Sequence, residues 1–311
     1  MIHKIDLISQ NLHSSFSKDY LPILTIDSGD SLQFKTPDIK WGYSPSKGED
    51  SIALESRENE KIQIHPMIGP IAIQGAKPGM VLEVKLNDIV PGWYGHNWAG
   101  GIKNWQNDCL GLSNTERVPF DWELNSNTMT GSTKIGDRLF HVGLQPFMGV
   151  IGVAPVEPGI QSTPPPRYCG GNIDCKELVK GSSLFLPIVV DEALFSIGYG
   201  HALQGDGEVS GTAIECPMDH VDVTLIVRQD MNISLPRAKT PSGWITFGFD
   251  EDLNKAAALA LNEMVQLMEE FFEIEKTAAV ALASVAVDLR ITQVVNGVKG
   301  VHAVLPHGSI R

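Results

Sequence analysis

The 311-residue chain has 24 Lys and Arg against 37 Asp and Glu, which gives a formal net charge of −13. Because nucleic acids and anionic membrane surfaces attract clustered basic residues, we expect neither as a partner of so acidic a chain. The sequence has no apolar stretch of ~18 residues that would span a membrane, and it begins without a secretory signal, so we expect a cytoplasmic protein.

Glycines and prolines are spread along the first four fifths of the chain, as in proteins whose short strands are joined by tight turns. A glycine followed three positions later by leucine precedes an alternating apolar run at four places, namely Gly29, Gly79, Gly136 and Gly181. Alternation of this kind is typical of half-buried antiparallel strands. Residues 1–248 are therefore predicted to form a mainly β body, either a sandwich or a barrel-like structure.

The pattern changes from residue 249 onward. Apolar residues recur every three or four positions over 253–271, which predicts a helix, and a second, alanine-rich helix is predicted over 275–285. Strand-like alternation follows and is interrupted at Asn296-Gly297, which is a typical hairpin turn. We predict that residues 249–311 form an α+β portion of two helices and a hairpin, packed on the body as one compact unit.

The segment between residues 170 and 215 concentrates polar side chains that can bind a cation or activate water. Asn172 and Asp174 are two residues apart, so an extended backbone projects both from one face. A glycine-rich stretch follows, and its polar residues and those just after it are His201, Gln204, Asp206, Glu208 and Glu215. Carboxylates with an imidazole suit a divalent cation, which predicts a metal site. A hairpin turn at Asp206 and a buried structural imidazole at His201 are the alternative interpretations.

Four motifs stand in a fixed order along the chain. They are Leu24-Thr25-Ile26-Asp27-Ser28-Gly29-Asp30, Gly170-Gly171-Asn172 with Asp174, His201-Ala202 with Gln204-Gly205-Asp206-Gly207-Glu208, and Asp288-Leu289-Arg290-Ile291 with Val301-His302-Ala303. In these motifs the chain resembles the acetamidase/formamidase family, and the resemblance covers nearly the whole chain. It implies a mostly β hydrolase with an α+β C-terminal portion.

The resemblance also implies an activity. It suggests an amidohydrolase that cleaves the C–N bond of small linear amides, such as formamide and acetamide, to a carboxylate and ammonia by metal-activated water. A divalent metal, zinc or calcium, and a homo-oligomer, a dimer or higher, are expected with it. Transferred to this sequence, the candidate metal ligands are Asp174, His201 and Asp206, and Glu215 is a further candidate.

Roles for the other polar residues follow from the chemistry of amide hydrolysis. A metal polarises the amide carbonyl and lowers the pKa of bound water towards ~7. Glu215 or Glu208 is predicted to accept the water proton and to pass it to the departing nitrogen. Asn172 is predicted to donate a hydrogen bond to the oxyanion. Gln204 and Trp93 are the candidate substrate-binding residues, and Trp93 lies in a glycine- and aromatic-rich stretch.

Two other hypotheses stay open. The four cysteines include no C-x-x-C pair, which predicts free thiols, and Cys169 or Cys175 is a candidate nucleophile with His201 as its base. Many relatives carry a carboxylate where this chain has Tyr199, which suggests that a metal ligand has been lost. In that case the chain is a non-catalytic or altered-specificity homologue that binds a small ligand.

Overall fold

The structure is a computed structural model that describes residues 1–57 and 64–311. In chain order its strands are β1 Ile2–Ile5, β2 Leu12–His13, β3 Ser15–Phe16, β4 Leu24–Ile26, β5 Ser31–Thr36, β6 Gly42–Tyr43, β7 Ile52–Ala53, β8 Met67–Ile73, β9 Val81–Pro91, β10 Tyr94–Ala99, β11 Val118–Asn125, β12 Thr130–Ile135, β13 Arg138–Gly143, β14 Phe147–Gly152, β15 Gln161–Ser162, β16 Gly170–Asn172, β17 Ser183–Pro187, β18 Phe195–Leu203, β19 Ile214–Glu215, β20 Met218–Arg228, β21 Arg237–Lys239, β22 Gly243–Asp250, β23 Asp288–Gln293 and β24 Lys299–Pro306. The α-helices are α1 Trp105–Leu110, α2 Leu253–Phe272 and α3 Lys276–Ala286.

Most strands belong to two large sheets. One has nine strands in the order β1-β5-β20-β9-β17-β21-β22-β24-β23, and the other has eleven, with the path β13-β12-β11-β10-β19-β18-β14-β16 and β8 joined to β18, β2 and β4. One apolar core contains Leu32 and Leu82 from the first sheet and Ile68 and Ile197 from the second. The two sheets therefore pack face to face. The predicted mainly β sandwich is confirmed, whereas neither large sheet closes into a barrel among the described strands.

The four glycine–leucine patterns mark the starts of strands, as predicted. Backbone φ angles are 97° at Gly29, 91° at Gly79, 59° at Gly136 and 86° at Gly181. These values lie in the left-handed region, which glycine adopts without a steric penalty. β5, β9, β13 and β17 each begin two residues after one of these glycines, so the turn residue and the strand start together account for the repeated pattern.

The C-terminal portion contains the two predicted helices and the predicted hairpin. β22 runs across residue 249 and pairs with β24, which in turn pairs with β23. The hairpin thus forms one edge of the nine-stranded sheet, and the division of the chain at residue 249 stays a prediction. None of the helices in the described ranges is long and apolar enough to cross a membrane.

Helix α2 packs on the nine-stranded sheet through a face of alanines and methionines. Ala256, Ala260, Met264 and Met268 are completely buried, whereas the side chain of Phe271 is 45% exposed. The helix approaches β22 closely, because a Cβ added to Gly248 would lie 2.0 Å from the Ala256 carbonyl oxygen. At this point the helix presents Ala256 and Ala260, because larger side chains would push it away from β22.

Candidate active site

Neighbouring strands of the eleven-stranded sheet bring distant residues to one place. β18 lies between β14 and β19, and β14 also pairs with β16. The register sets His201 on β18 opposite Glu215 on β19 and opposite Phe147 on β14. It also sets Asn172 on β16 opposite Val150 on β14. Strand pairing therefore brings Asn172, His201 and Glu215 close together although they are distant in the sequence.

Asp174, His201 and Glu208 form a tight, buried group. Each offers one ligand atom, and the three atoms lie within 4.8 Å of one another. The buried side-chain atoms here that have no hydrogen-bond partner are Asn172 Oδ1, Asp174 Oδ1, His201 Nε2, Glu208 Oε2 and Glu215 Oε2. Buried polar atoms in folded proteins are normally paired, so this concentration of unpaired atoms indicates a place for a ligand. The donor set fits a divalent cation.

Hydrogen bonds orient the imidazole of His201. Its Nδ1 lies 3.0 Å from Gln204 Oε1, and Gln204 Nε2 donates to the backbone oxygen of Asp174 at 2.8 Å. Because an amide oxygen only accepts, Nδ1 carries the proton and donates it. Nε2 is then left with its lone pair, as a metal ligand requires. Burial lowers the pKa of His201 to about 3, so the ring stays neutral.

The carboxylates of the site are buried close to one another. Burial raises the pKa of Asp174 and of Glu208, and the neighbouring Asp174 raises that of Glu208 further. Burial also raises the pKa of Glu215 to about 8, against a hydrogen bond from Tyr199 that lowers it. Each carboxyl group therefore favours its protonated form until a cation compensates the negative charge.

Two residues that sequence reasoning missed complete the site. A Cβ added to Gly149 would lie 2.7 Å from Asp174 Oδ1 and 2.7 Å from Tyr199 Cδ1, so glycine keeps this space open. A glycine within an apolar strand is a signal for such close approach. Asn296 Nδ2 donates to Asp174 Oδ2 at 2.8 Å. The sequence indicated only a turn at Asn296, because the contact joins positions 122 residues apart.

Two selected residues lie outside the group of three. Asp206 has a side chain that is 32% exposed and pairs with Lys176 at 3.1 Å. Trp93 donates from Nε1 to the Ser44 carbonyl oxygen at 3.1 Å. It lines an open groove of 730 Å³ together with Tyr94, His96, Asp121, Trp122 and other residues. The groove adjoins the site because His96 on β10 pairs with Glu215.

Comparison with known proteins identifies the family. The sequence model of the Acetamidase/Formamidase family matches residues 3–162 and 158–307, which together cover most of the chain. The chain belongs to the acetamidase/formamidase family. The resemblance recognised in the sequence motifs is thereby confirmed.

Individual relatives agree with this assignment. The formamidase of Methylophilus methylotrophus is 25% identical over an alignment of 249 residues that covers 64% of this chain and 60% of the relative. The chain thus spans about 60% of the length of the curated relatives that it matches. A solved acetamidase from Bacillus halodurans has a TM-score of 0.81 and 27% identity, with 97% of each chain covered. A predicted acetamidase/formamidase from Thermoanaerobacter tengcongensis has a TM-score of 0.82 and 27% identity, with 98% of this chain and 96% of that chain covered.

Tyr199 occupies the interior of the site in this acetamidase/formamidase family member. Its backbone is left-handed, with a φ of 59°. The ring centroid lies 4.3 Å from that of His65 and 4.2 Å from that of His201. The hydroxyl donates a short hydrogen bond to Glu215 Oε1, and burial raises the pKa of the phenol well above its ordinary value. Tyr199 therefore holds one oxygen of Glu215 and leaves the other without a partner.

The cysteines of this family member are free thiols, as predicted. Cys175 donates to Glu177 Oε2 at 3.3 Å, so it is engaged with a residue outside the group of three. Burial raises the pKa of Cys169 to about 12 and that of Cys175 well above its ordinary value. Neutral, buried thiols are poor nucleophiles, and this geometry does not support the hypothesis of a cysteine nucleophile.

Proposed function

We propose that the protein hydrolyses the C–N bond of small linear amides such as formamide and acetamide, which gives a carboxylate and ammonia. The observation that carries the proposal is the buried group of Asp174, His201 and Glu208 beside Glu215, with unpaired polar atoms on all four residues. Relatives named formamidase and acetamidase support it. The non-catalytic alternative is not favoured, because a candidate ligand group remains without any contribution from Tyr199.

The ligand set favours zinc over calcium. Zinc is usually bound by about four ligands, among them imidazoles and carboxylates, whereas calcium takes six to eight oxygen ligands. We propose Asp174, His201 and Glu208 as the ligands, with Glu208 in the role first predicted for Asp206. When bound, such a cation would polarise the amide carbonyl and lower the pKa of water. Cytoplasmic location stays a prediction.

Glu215 is the proposed proton carrier. Oε2 has no partner, while Oε1 is held by the Tyr199 hydroxyl. A pKa raised to about 8 lies close to neutral pH, where one group can both accept and return a proton. Glu215 accepts the proton of the attacking water on Oε2. It then delivers that proton to the amide nitrogen, which leaves as ammonia.

The roles of Asn172 and Gln204 depend on which of their polar atoms are already hydrogen-bonded. Asn172 Nδ2 donates to the Pro164 carbonyl oxygen at 3.3 Å, and Oδ1 is unpaired. In this orientation Oδ1 suits the N–H of an amide substrate, and donation to the oxyanion requires the side-chain amide to turn over. Both polar atoms of Gln204 are engaged by His201 and Asp174. We therefore propose Gln204 as a positioning residue and Trp93 as a wall of the entrance groove.

The test measures ammonia release and metal content together. Purified protein is incubated with formamide, acetamide and longer amides in the presence of zinc, calcium or manganese. We expect turnover of the short amides, and we expect Asp174→Asn to lower both turnover and bound metal. Asp206→Asn is the matched control and should keep both. The absence of ammonia under every condition would support the non-catalytic hypothesis instead.

We also propose a homo-oligomer. Strands β11 to β13 and their connection carry large apolar side chains that are 39–60% exposed, namely Val118, Ile135, Leu139 and Phe140. Exposed apolar patches on globular proteins frequently mark interfaces. Light scattering of the purified protein should give a mass above that of one chain, and Leu139→Glu should lower it. A monomeric mass for the unmodified protein would contradict this proposal.

A further inference from the structure

A second buried cluster begins at the residue that follows Asp174. It consists of Cys175, Glu177 and His302, whose relative exposures are 0%, 8% and 0%. One ligand atom from each lies within 4.8 Å of the other two. Asp174 instead belongs to the first group and contacts Asn296. The consecutive residues Asp174 and Cys175 thus belong to two different clusters.

The separations within the second cluster suit tetrahedral coordination. Glu177 Oε2 lies 3.3 Å from Cys175 Sγ and 3.4 Å from His302 Nε2. Bonds to zinc of about 2.3 Å from sulfur and about 2.0–2.1 Å from nitrogen and oxygen place neighbouring ligands about 3.3–3.6 Å apart in a tetrahedron. A thiolate, a carboxylate and an imidazole are all ligands that zinc accepts.

The imidazole of His302 is oriented as a metal ligand would be. Nδ1 lies 2.8 Å from Thr292 Oγ1. When this hydroxyl accepts the proton of Nδ1, the lone pair is on Nε2, as metal binding requires. Nε2 is inaccessible to water and makes no hydrogen bond, and its nearest charged neighbour is Glu177 Oε2 at 3.4 Å. Such an unpaired buried nitrogen, directed towards a carboxylate and a thiol, is a second indication of a missing ligand.

The surroundings of Glu177 resemble the outer shell of a metal site. Its other oxygen, Oε1, accepts a hydrogen bond from Arg290 Nη1 at 2.8 Å. A ligating carboxylate is usually held in this way through the oxygen that does not face the metal. Arg290 lies on β23 and His302 on β24, while Cys175 and Glu177 follow β16. A cation here would therefore tie the body to the C-terminal hairpin.

We propose that Cys175, Glu177 and His302 bind a second divalent cation, for which zinc is best suited. On binding, the Cys175 thiol gives its proton to solvent and a sulfur–metal bond replaces the S–H bond, with no change of oxidation state. Water completes the coordination. The site has a structural role, because it holds the hairpin whose Asn296 contacts Asp174. This proposal stands independently of the amide hydrolysis proposed above.

Cobalt substitution tests the second site directly. The holoprotein is stripped with a chelator and reloaded with Co²⁺, in a Cys109→Ser background because Cys109 is the exposed thiol. The first group offers only oxygen and nitrogen ligands, so a thiolate-to-cobalt charge-transfer band in the near ultraviolet reports the second site alone. We expect this band, together with about two bound ions per chain.

Substitutions in the second cluster test whether the charge-transfer band arises from Cys175. Cys175→Ser should abolish it and reduce the metal content from about two ions to about one, and His302→Gln should do the same if the serine variant fails to fold. Cys169→Ser, at another buried thiol, should keep both the band and the metal. Asp174→Asn should keep the band while losing amide turnover, which separates this proposal from the proposed function. A folded, cobalt-loaded protein without the band, or a band that survives Cys175→Ser, would overturn the second site.

Discussion

The two buried clusters of this protein start at consecutive residues and differ in how their carboxylates are paired. Around Asp174 and Glu208, one oxygen of each carboxylate lacks a partner, and the same holds for Glu215. At Glu177, one oxygen accepts from Arg290 and the other from the Cys175 thiol. The first cluster therefore needs a cation from outside the protein more than the second does.

Their pKa values move in opposite directions for this reason. Burial raises the pKa of Glu215 to about 8. Burial would also raise the pKa of Glu177, but His302, the Cys175 thiol and Lys176 together lower it to about 2. Burial does not by itself determine whether a carboxyl group is charged. The hydrogen-bond donors and charged groups around the carboxyl group decide its charge state.

The largest effect is expected at Glu215. Glu215→Gln cannot accept a proton, so kcat/KM for formamide should fall about 10²–10⁴-fold while bound metal is unchanged. Ammonia release and elemental analysis measure the two quantities. Glu275→Gln, at an exposed position, should match the unmodified protein. A rate unaffected by Glu215→Gln would remove this residue from the mechanism.

Gln204 tests whether the orientation of His201 matters. Gln204→Leu removes the acceptor for Nδ1, so we expect the affinity for the metal at this site to fall about 10–100-fold, as at other residues that orient metal ligands. Chelator competition measures the affinity. Gln204→Glu keeps an acceptor at the same place and should restore most of the binding. Equal affinities for all three proteins would show that Gln204 has no positioning role.

The space beside Asp174 is tested by Gly149→Ala. The added methyl group would collide with Asp174 Oδ1 and Tyr199 Cδ1 at 2.7 Å. We expect a loss of about 1–3 kcal/mol in the free energy of unfolding and a lower metal content. Urea denaturation measures the first quantity. Gly143→Ala is the control, because a Cβ there meets no atom within 4 Å. If both variants behave alike, steric exclusion at residue 149 is not the reason for its glycine.

The smallest effect concerns pH and the second cluster. Because the folded-state pKa of Glu177 is lowered from 4.5 to about 2, its ionised form stabilises the fold above pH 4.5, and this contribution is lost as the pH falls towards 2. In the metal-stripped protein, Glu177→Gln should lower the free energy of unfolding by about 1–2 kcal/mol at neutral pH. It should also weaken the decrease of this free energy as the pH falls towards 2. Unfolding curves between pH 2 and pH 7 measure the free energy of unfolding of both proteins. The same dependence on acid pH in both proteins would contradict the lowered pKa of Glu177.

Local sequence signals predicted the fold class and much of the site. Period-2 alternation after a turn glycine depends on neighbouring residues only, and all four glycine–leucine patterns precede strands. The helix predicted over 253–271 is α2, Leu253–Phe272. The polar stretch from Asn172 to Glu215 is brought together by adjacent strands. Its residue types pointed to metal chemistry before any geometry was known.

Tertiary structure alone decided which of these residues meet. Asp206 and Glu208 lie in one loop and look equivalent in the sequence, but Glu208 reaches the buried group and Asp206 pairs with Lys176. Asn296 is brought to Asp174 from the far end of the chain.

The sequence by itself determined the strand pattern, the two C-terminal helices, the family and the chemical types in the site, since each depends on local order along the chain. Strand register and the direction of each side chain decide which strands pair and what space Gly149 leaves open. They also decide that Asp174 and Cys175 belong to different clusters. These are set only when distant segments pack, because the contacts join residues that no local pattern connects.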